Sequence, residues 1–285
     1  MTDTEPPFTN KSFKGRIDGL GNRLEEIIRL EAFCQRHRHL CRYTWLNEND
    51  FRSYPIRFTA KLVELTENTE CLRKFPLIGR IPSDSSQLEI LKAASQITPS
   101  FDISFGNGSQ PVGVHIRGTD RIGLDHPHFM KDEKEFKTYL LKALHLINQE
   151  NPERVFVCAD QKVYKDAFVS LLDSSIEIVE PKCAEDVGGV YRDFFALAKC
   201  QKIYMTSKFS SFAITASLIG NIPIVSLRED PEVAERYKAL FEYQPNVDCE
   251  LDFKSLKFNE SLLHWVKRIK LRAKAFARTL FRRRK

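Results

Sequence analysis

Pro111-Val-Gly-Val-His-Ile-Arg-Gly-Thr-Asp-Arg121 decides how the chain is read. It opens as an apolar, β-prone run from Val112 to Ile116 and closes in a turn crowded with polar and charged groups. A strand buried on both faces reads as continuous hydrophobics, and open α/β sheets bind ligands outside the carboxyl ends of their strands. His115 and Arg117, two apart, share a face of such a strand at the end where a ligand sits. An Arg offers phosphate oxygens a planar fork of donors, and a neighbouring His hydrogen-bonds a sugar or base. Gly118 and Thr119 let the chain turn sharply, and Asp120 holds the guanidinium or caps the next segment. The competing reading is a buried His and a structural Arg–Asp pair in a strand-end turn, which needs no ligand.

Downstream of Pro111 the pattern is regular. A strand at 112–117 is followed by a helix at 132–149, the strand Arg154–Ala159, a helix at about 162–172 and the strand Ile176–Val179. A helix over Tyr191–Ala198 precedes the strand Lys202–Thr206, and a helix at 210–219 precedes a last strand, Ile222–Leu227. Strands alternating with helices predict right-handed crossovers and a parallel sheet.

Upstream the reading is coarser. Residues 1–10 are polar, with Pro6-Pro7, and are expected to fray. Leu24, Ile27, Ile28, Leu30, Ala32 and Cys34 predict a helix beginning just after Asn22, entered through a loop made flexible by Gly15, Gly19 and Gly21. A glycine-rich loop running into a helix start suits an anion, yet it matches neither a dinucleotide fingerprint nor a phosphate loop with its Lys, and an ordinary capped helix explains it equally. A short strand at Cys41–Trp45, an apolar patch at 60–65 and a helix around Ser86–Ala94 complete a smaller α/β unit. Asp102–Pro111 is dense in turn formers and is the expected linker. The divisions are therefore 1–110, 111–255 and a terminal segment, 256–285.

The 285 residues, 42% hydrophobic and 29% charged, place the chain among globular proteins. No stretch approaches the ~20 apolar residues of a membrane helix, and Met1–Lys14 lacks an apolar signal core, so a cytoplasmic protein is expected. Cysteines 34, 41, 71, 158, 183, 200 and 249 never fall in a C-x-x-C spacing and read as reduced core residues. The net charge of +6 belongs to the tail: residues 261–285 hold ten Lys or Arg and no acid, leaving 34 basic against 38 acidic residues in the first 260. That distribution disfavours a nucleic-acid binder, whose cations would spread over the face that meets the phosphates.

The strand ends supply a constellation. Asp160 follows the second strand of this half as Arg117 follows the first, and Thr206-Ser-Lys-Phe-Ser-Ser-Phe212 follows the fourth strand and opens a helix. Hydroxyls and free N–H groups at a helix start cradle phosphate, and Asp193 is placed to accept from a ribose or base. Each has a plainer alternative, with Asp160 and Asp193 as caps and Ser210 and Ser211 as common N-cap residues.

Gly19-Leu-Gly-Asn-Arg23, His115-Ile-Arg-Gly-Thr-Asp120, the strand ending at Asp160, Asp193 and Phe209-Ser-Ser-Phe212 occur in an order that resembles the fucosyltransferase superfamily. That group takes in α1,2- and α1,6-fucosyltransferases, the rhizobial nodulation enzyme and protein O-fucosyltransferases. The resemblance spans about residues 14–227, and H-x-R-x-x-D is its most specific part. It implies a GT-B-like fold, two Rossmann-like domains with a cleft between them, and an inverting glycosyltransferase that takes GDP-fucose to a hydroxyl of a glycan, glycolipid or protein. It implies that Arg117 holds the β-phosphate and is the catalytic group. His115 and Asp193 contact the nucleoside, Ser210 and Ser211 the phosphates, and Asn22 reaches in from the first domain. Asp120, Asp160 and Phe212 complete the set. One departure stands out: the α1,6 and nodulation enzymes carry a second Arg where this chain has Gly118, as the protein O-fucosyltransferases also lack it.

The charge that develops on a departing nucleotide needs stabilisation, for which glycosyltransferases commonly hold a divalent ion on Asp-x-Asp. The sequence contains no Asp-x-Asp, so no metal or other cofactor is expected, with Arg117 and the helix start at 210 replacing the cation. Asp125, His126 and His128 lie near but are not assignable as base or metal ligands. Leu262, Val266, Ile269, Ala273, Phe276 and Leu280 fall on one side of a terminal helix whose other faces are basic. Two readings compete for it: packing back on the core, or docking at an anionic membrane surface.

Overall fold

The computed structural model describes residues 8–15, 19–45, 55–59, 62–66, 70–118, 122, 130–227 and 241–243. The chain folds as an α/β protein with two parallel sheets. The first is built from β1 (Thr9–Lys14), β2 (His39–Thr44), β4 (Val63–Thr66) and β5 (Leu77–Ile78), in the order β4-β2-β1-β5, with α1 (Leu20–His37) against it. A two-stranded antiparallel ribbon, β3 (Ile56–Phe58) with β6 (Ile97–Pro99), sits beside it. The short α2 (Cys71–Lys74) precedes β5 and α3 (Gln87–Ala94) precedes β6. Ser86 starts α3 with a capping box, accepting from the Glu89 N–H while Glu89 reaches back to the Ser86 N–H.

The second sheet holds β7 (Val112–Ile116), β8 (Arg154–Ala159), β9 (Glu177–Ile178), β10 (Ile203–Met205), β11 (Ile224–Ser226) and β12 (Phe241–Tyr243). All neighbours are parallel, and the order β12-β11-β10-β7-β8-β9 is the six-stranded Rossmann winding. Its helices are α4 (Glu133–Glu150), α5 (Lys162–Val169), α6 (Gly189–Ala198) and α7 (Ser211–Gly220). Asp132 starts α4 by accepting from the Glu135 N–H, while Asn151 and Asn221 end α4 and α7 at φ 47° and 48°. Asn tolerates this left-handed conformation better than most residues.

Period-2 alternation sorts the second sheet into two faces. Val112, Val114, Ile116, Val155, Val157 and Tyr204 pack under α4 and α5 with Phe136, Leu140 and Phe168. Phe156, Cys158, Ile203, Met205 and Ile224 face α6 and α7. That second core does not stop at the sheet's own helices: it runs on through Ile27 and Ile28 of α1 and Ile90 and Ala94 of α3 to Phe13, Tyr43 and Trp45 of the first sheet. The two sheets are joined by one continuous apolar layer in which α1 lies against α7.

Several sequence readings need correction. Residues 9 and 10 are not frayed but begin β1, which lies between β2 and β5. Its sequence Thr-Asn-Lys-Ser-Phe-Lys hides the strand, because a buried Ser12 hydroxyl, donating to the Phe75 carbonyl at 3.1 Å, stands where a hydrophobic residue was looked for. The first helix starts at Leu20 with Gly19 as N-cap, so Asn22 lies inside its first turn. The strand at 222–227 is not the last, since β12 follows it. The expected linker is no free tether: Ile103 and Phe105 are buried, and Ser104 exchanges backbone hydrogen bonds with Lys182 at 3.1 and 2.7 Å. Lys199 Nζ donates to the Ile103 carbonyl at 2.7 Å, and Arg154 donates to the Ser109 carbonyl at 2.8 Å and to that of Phe105. Cys34, Cys41, Cys158 and Cys200 are buried free thiols, as expected. Among the described residues no helix is long and apolar enough to cross a membrane. Residues 256–285 lie outside the described residues.

Candidate functional site

In a Rossmann winding the sequence order reverses between the first and fourth strands, here β7 and β10, and the connections leave to opposite faces there. That opens a crevice at the carboxyl edge. Every residue of β7 is buried, and Arg117 follows it, half-buried, at that edge. The Thr206 N–H and hydroxyl both donate to the His115 carbonyl at 3.1 Å, fastening the ends of the two strands together. The chain then passes Ser207 and Lys208 to Ser210, whose hydroxyl accepts from the Ala213 N–H at 3.5 Å to start α7. The remaining first-turn N–H groups of α7 give this edge a positive helix end beside the Arg117 cation.

His115, 5% exposed, lies on the α7 side of the sheet, with Cys158 and Met205 as its register partners. Its ring stacks on Phe212 at 5.4 Å and 22°, and Phe212 meets Phe194 of α6 edge-on at 5.0 Å. Phe212 thus orients the histidine through its ring face. Asp160 turns back across the strand end, accepting from the Gly118 N–H at 3.1 and 3.3 Å. Asp193, in α6, is held by Arg192 Nε at 2.9 Å. Both carboxylates bear on one thiol: burial, then the charge of Asp193, pushes Cys158 well above its usual range, with Asp160 adding to it.

The first unit reaches this edge through Gly21. A Cβ built there would lie 2.6 Å from the Phe212 nitrogen and 2.7 Å from the Ser211 carbonyl carbon, so the start of α1 touches the start of α7 backbone to backbone. Thr215 seals the contact by donating to the Gly21 carbonyl at 3.0 Å. Asn22, the next residue, is half-buried at the same helix start. Seven of the nine sequence-derived positions, Asn22, His115, Arg117, Asp160, Ser210, Ser211 and Phe212, therefore belong to strand ends and helix starts around one edge, whereas Asp193 lies in the second turn of α6 rather than at its start. The ninth, Asp120, lies outside the described residues, as do Asp125, His126 and His128. The sequence reading missed Gly21 and Thr215. Their contact joins residues 194 apart, a separation that no local spacing signals.

Gly118 has its own explanation. A Cβ at this position would come within 2.7 Å of the Phe136 ring and 2.9 Å of the Tyr164 ring, which meet edge-on at 4.9 Å. Residue 118 points into the core under α4 and α5, where aromatic packing leaves no space for a side chain.

No family model and no curated protein matches the sequence. Solved structures match its fold. NodZ α-1,6-fucosyltransferase soaked with GDP-fucose superposes with a TM-score of 0.50 at 14% identity, over 76% of this chain and 94% of that one. NodZ from Bradyrhizobium gives 0.50 at 15% identity over 76% and 94%, and POFUT1 in complex with GDP gives 0.50 at 10% over 77% and 99%. The strand order defines an α/β protein with a Rossmann winding. Within that class, the chain has the fold of the fucosyltransferases NodZ and POFUT1, nearly to their full length.

Proposed function

We propose that the protein is an inverting, metal-independent fucosyltransferase that binds GDP-fucose in a GT-B-like cleft at the β7/β10 edge and transfers fucose to a hydroxyl of a glycan, glycolipid or protein. One observation carries the reading: the strand order brings Arg117 and the amino end of α7 to the same switch point, with the start of α1 against them. The fold shared with a protein soaked with GDP-fucose and with one complexed with GDP supports the choice of donor.

The chemistry follows from charge. Direct attack by an acceptor hydroxyl on the anomeric carbon breaks the bond to the β-phosphate and leaves negative charge on the departing diphosphate. Arg117 and the α7 N–H groups meet that charge as it grows, which is the condition for lowering the barrier rather than merely binding substrate. His115, fixed by Phe212, faces the nucleoside together with Asp193, while Ser210, Ser211 and Asn22 line the phosphates. Asp160 acts by holding the Gly118 N–H, which shapes the turn that presents Arg117. The protein is cytoplasmic in this reading, and residues 270–285 draw it to anionic bilayers by sequence alone. Liposome co-sedimentation that needs acidic lipid and is lost on truncation at Lys270 tests that part.

A panel of nucleotide sugars, each with transfer and hydrolysis followed, tests the donor. GDP-fucose should be consumed in preference to the rest, and binding of any nucleotide sugar without turnover would leave a noncatalytic binder. Arg117→Ala should lower turnover ~100-fold or more with the fold intact, the loss of about 3 kcal/mol of charge-assisted transition-state contact. Arg117→Lys should rescue poorly because an ammonium lacks the fork. Near-normal turnover by Arg117→Ala would remove the phosphate assignment.

A further inference from the structure

The start of α1 carries a cation that no hydrogen bond or ion pair among the described residues answers. Arg23 lies in its first turn, 8% exposed, with its guanidinium 4.5 Å from the centre of the Trp45 ring. Its Nε and Nη1 have no hydrogen-bond partner. Two carboxylates of the same helix are engaged elsewhere: Glu26 accepts the Tyr43 hydroxyl at 2.9 Å, and Glu31 accepts the Gln35 amide at 3.0 Å. A helix start is itself positive, and here Gly19 supplies no capping side chain and the first turn holds no acid. A buried charge without a partner is among the costliest groups a fold can hold, and stacking on an indole offsets only part of that cost.

Arg154 shows how the same chain treats a structural guanidinium. At 5% exposure it donates to the Ser109 carbonyl at 2.8 Å and the Phe105 carbonyl, and it pairs with Glu177 at 3.2 Å. Arg23 has none of these. Its direction matters as well. Gly21 faces the start of α7, and two residues further on the helix has turned by about 200°, so Arg23 faces Trp45 at the end of β2 and away from Arg117's side of the contact.

We propose that Arg23 and Trp45 form an anion subsite in the first unit, and that it takes an acid group carried by the acceptor saccharide. The assignment to an acceptor rests on the fucosyltransferase reading; the anion subsite itself does not. Its ligand is a sulfate, phosphate or carboxylate substituent, drawn to the Arg23 guanidinium at the positive end of α1.

The chain has two tryptophans, so Trp265→Phe leaves Trp45 as the only indole reporter. In that background inorganic sulfate, inorganic phosphate and glucuronate are titrated separately, with glucose as the neutral control. At least one anion should change Trp45 emission saturably, glucose should not, and which anion acts at the lowest concentration identifies the acid. Adding Arg23→Gln should weaken the response about tenfold or more, whereas adding Arg117→Ala should leave it in place. No saturable response to any of the three anions, or loss with Arg117→Ala instead of Arg23→Gln, would overturn the proposal. Because Arg23→Gln removes an uncompensated charge, its anion-free melting temperature should equal or exceed that of the parent; a marked fall, or failure to fold, would make Arg23 structural and overturn it too. GDP affinity separates the two readings. A fall in GDP affinity in Arg23→Gln as large as its fall in anion affinity would move Arg23 to the donor. Absence of GDP binding by the unaltered protein, with the Trp45 response intact, would sink the donor reading alone.

Discussion

α1 and α7 begin in contact and begin differently. The start of α7 is finished by the protein: Ser210 caps it, Ser211 is buried, and every residue from Ala213 to Leu218 is buried. The start of α1 is left open, with a glycine cap that contributes no side chain and a cation where a helix favours an acid. A capped end holds the helix in register and still leaves first-turn N–H groups over for a ligand. An uncapped end next to it is where the anion subsite is proposed.

The contact can be broken most severely at Gly21. Gly21→Ala puts a methyl against backbone atoms at 2.6–2.7 Å that have no rotamer to escape into, so the helices must part. A loss of about 3 kcal/mol is expected, read as a lowered urea midpoint with an unchanged slope. A second test uses charge. α7 contains no titratable side chain, whereas burial in α1 raises the Glu31 carboxyl above its ordinary 4.5 despite hydrogen bonds from Gln35, Val63 and Leu62. The folded state then holds this proton to higher pH than the unfolded chain does, so stability falls as pH rises from about 4.5 through the raised value. The slope from one proton is at most about 1.4 kcal/mol per pH unit, and Glu31→Gln should flatten it in pH-dependent denaturation curves. Ser210→Ala removes the α7 cap and should cost ~1 kcal/mol by the same urea measurement. The smallest effect is a gain. Gly19 sits at φ −54° and ψ 159° with nothing within 4 Å of a Cβ, so Gly19→Ser should cap α1 and add about 0.3 kcal/mol.

The second unit was legible because β7, β8, β10 and β11 are buried on two faces and announce themselves without alternation. Arg154–Ala159 was read to the residue, and β7, β10, α4 and α7 to within one or two. Asp132 and Asn151 mark the ends of α4 by chemistry that operates within a single turn. The first unit was less legible because β1 buries a serine and β3, β4 and β5 are short, so no periodic signal accumulates. The candidate site was legible as a set of strand-end residues, since a parallel sheet places such residues on one edge whatever the loop lengths. What the sequence could not carry were contacts between distant segments: Gly21 on Ser211 and Phe212, Phe136 on Gly118, and a buried Arg23 whose Nε and Nη1 find no hydrogen-bond partner among the described residues.

The pinned segment between the sheets has a consequence for motion. Enzymes that close by rotating one lobe over another need a hinge, a few residues free to take up the dihedral change. Residues 103–109 are instead stitched to the second sheet by Lys182, Lys199 and Arg154, and Gly108, at φ 119° with its Cβ position 2.9 Å from Arg154 Nη1, is braced by the same guanidinium. The natural pivot is therefore locked, and swinging the lobes would require Arg154 to give up carbonyl partners inside the core. If the proposed transfer holds, substrate exchange should run on local loop movement around a stationary pair of sheets, with the Gly21–Phe212 contact kept.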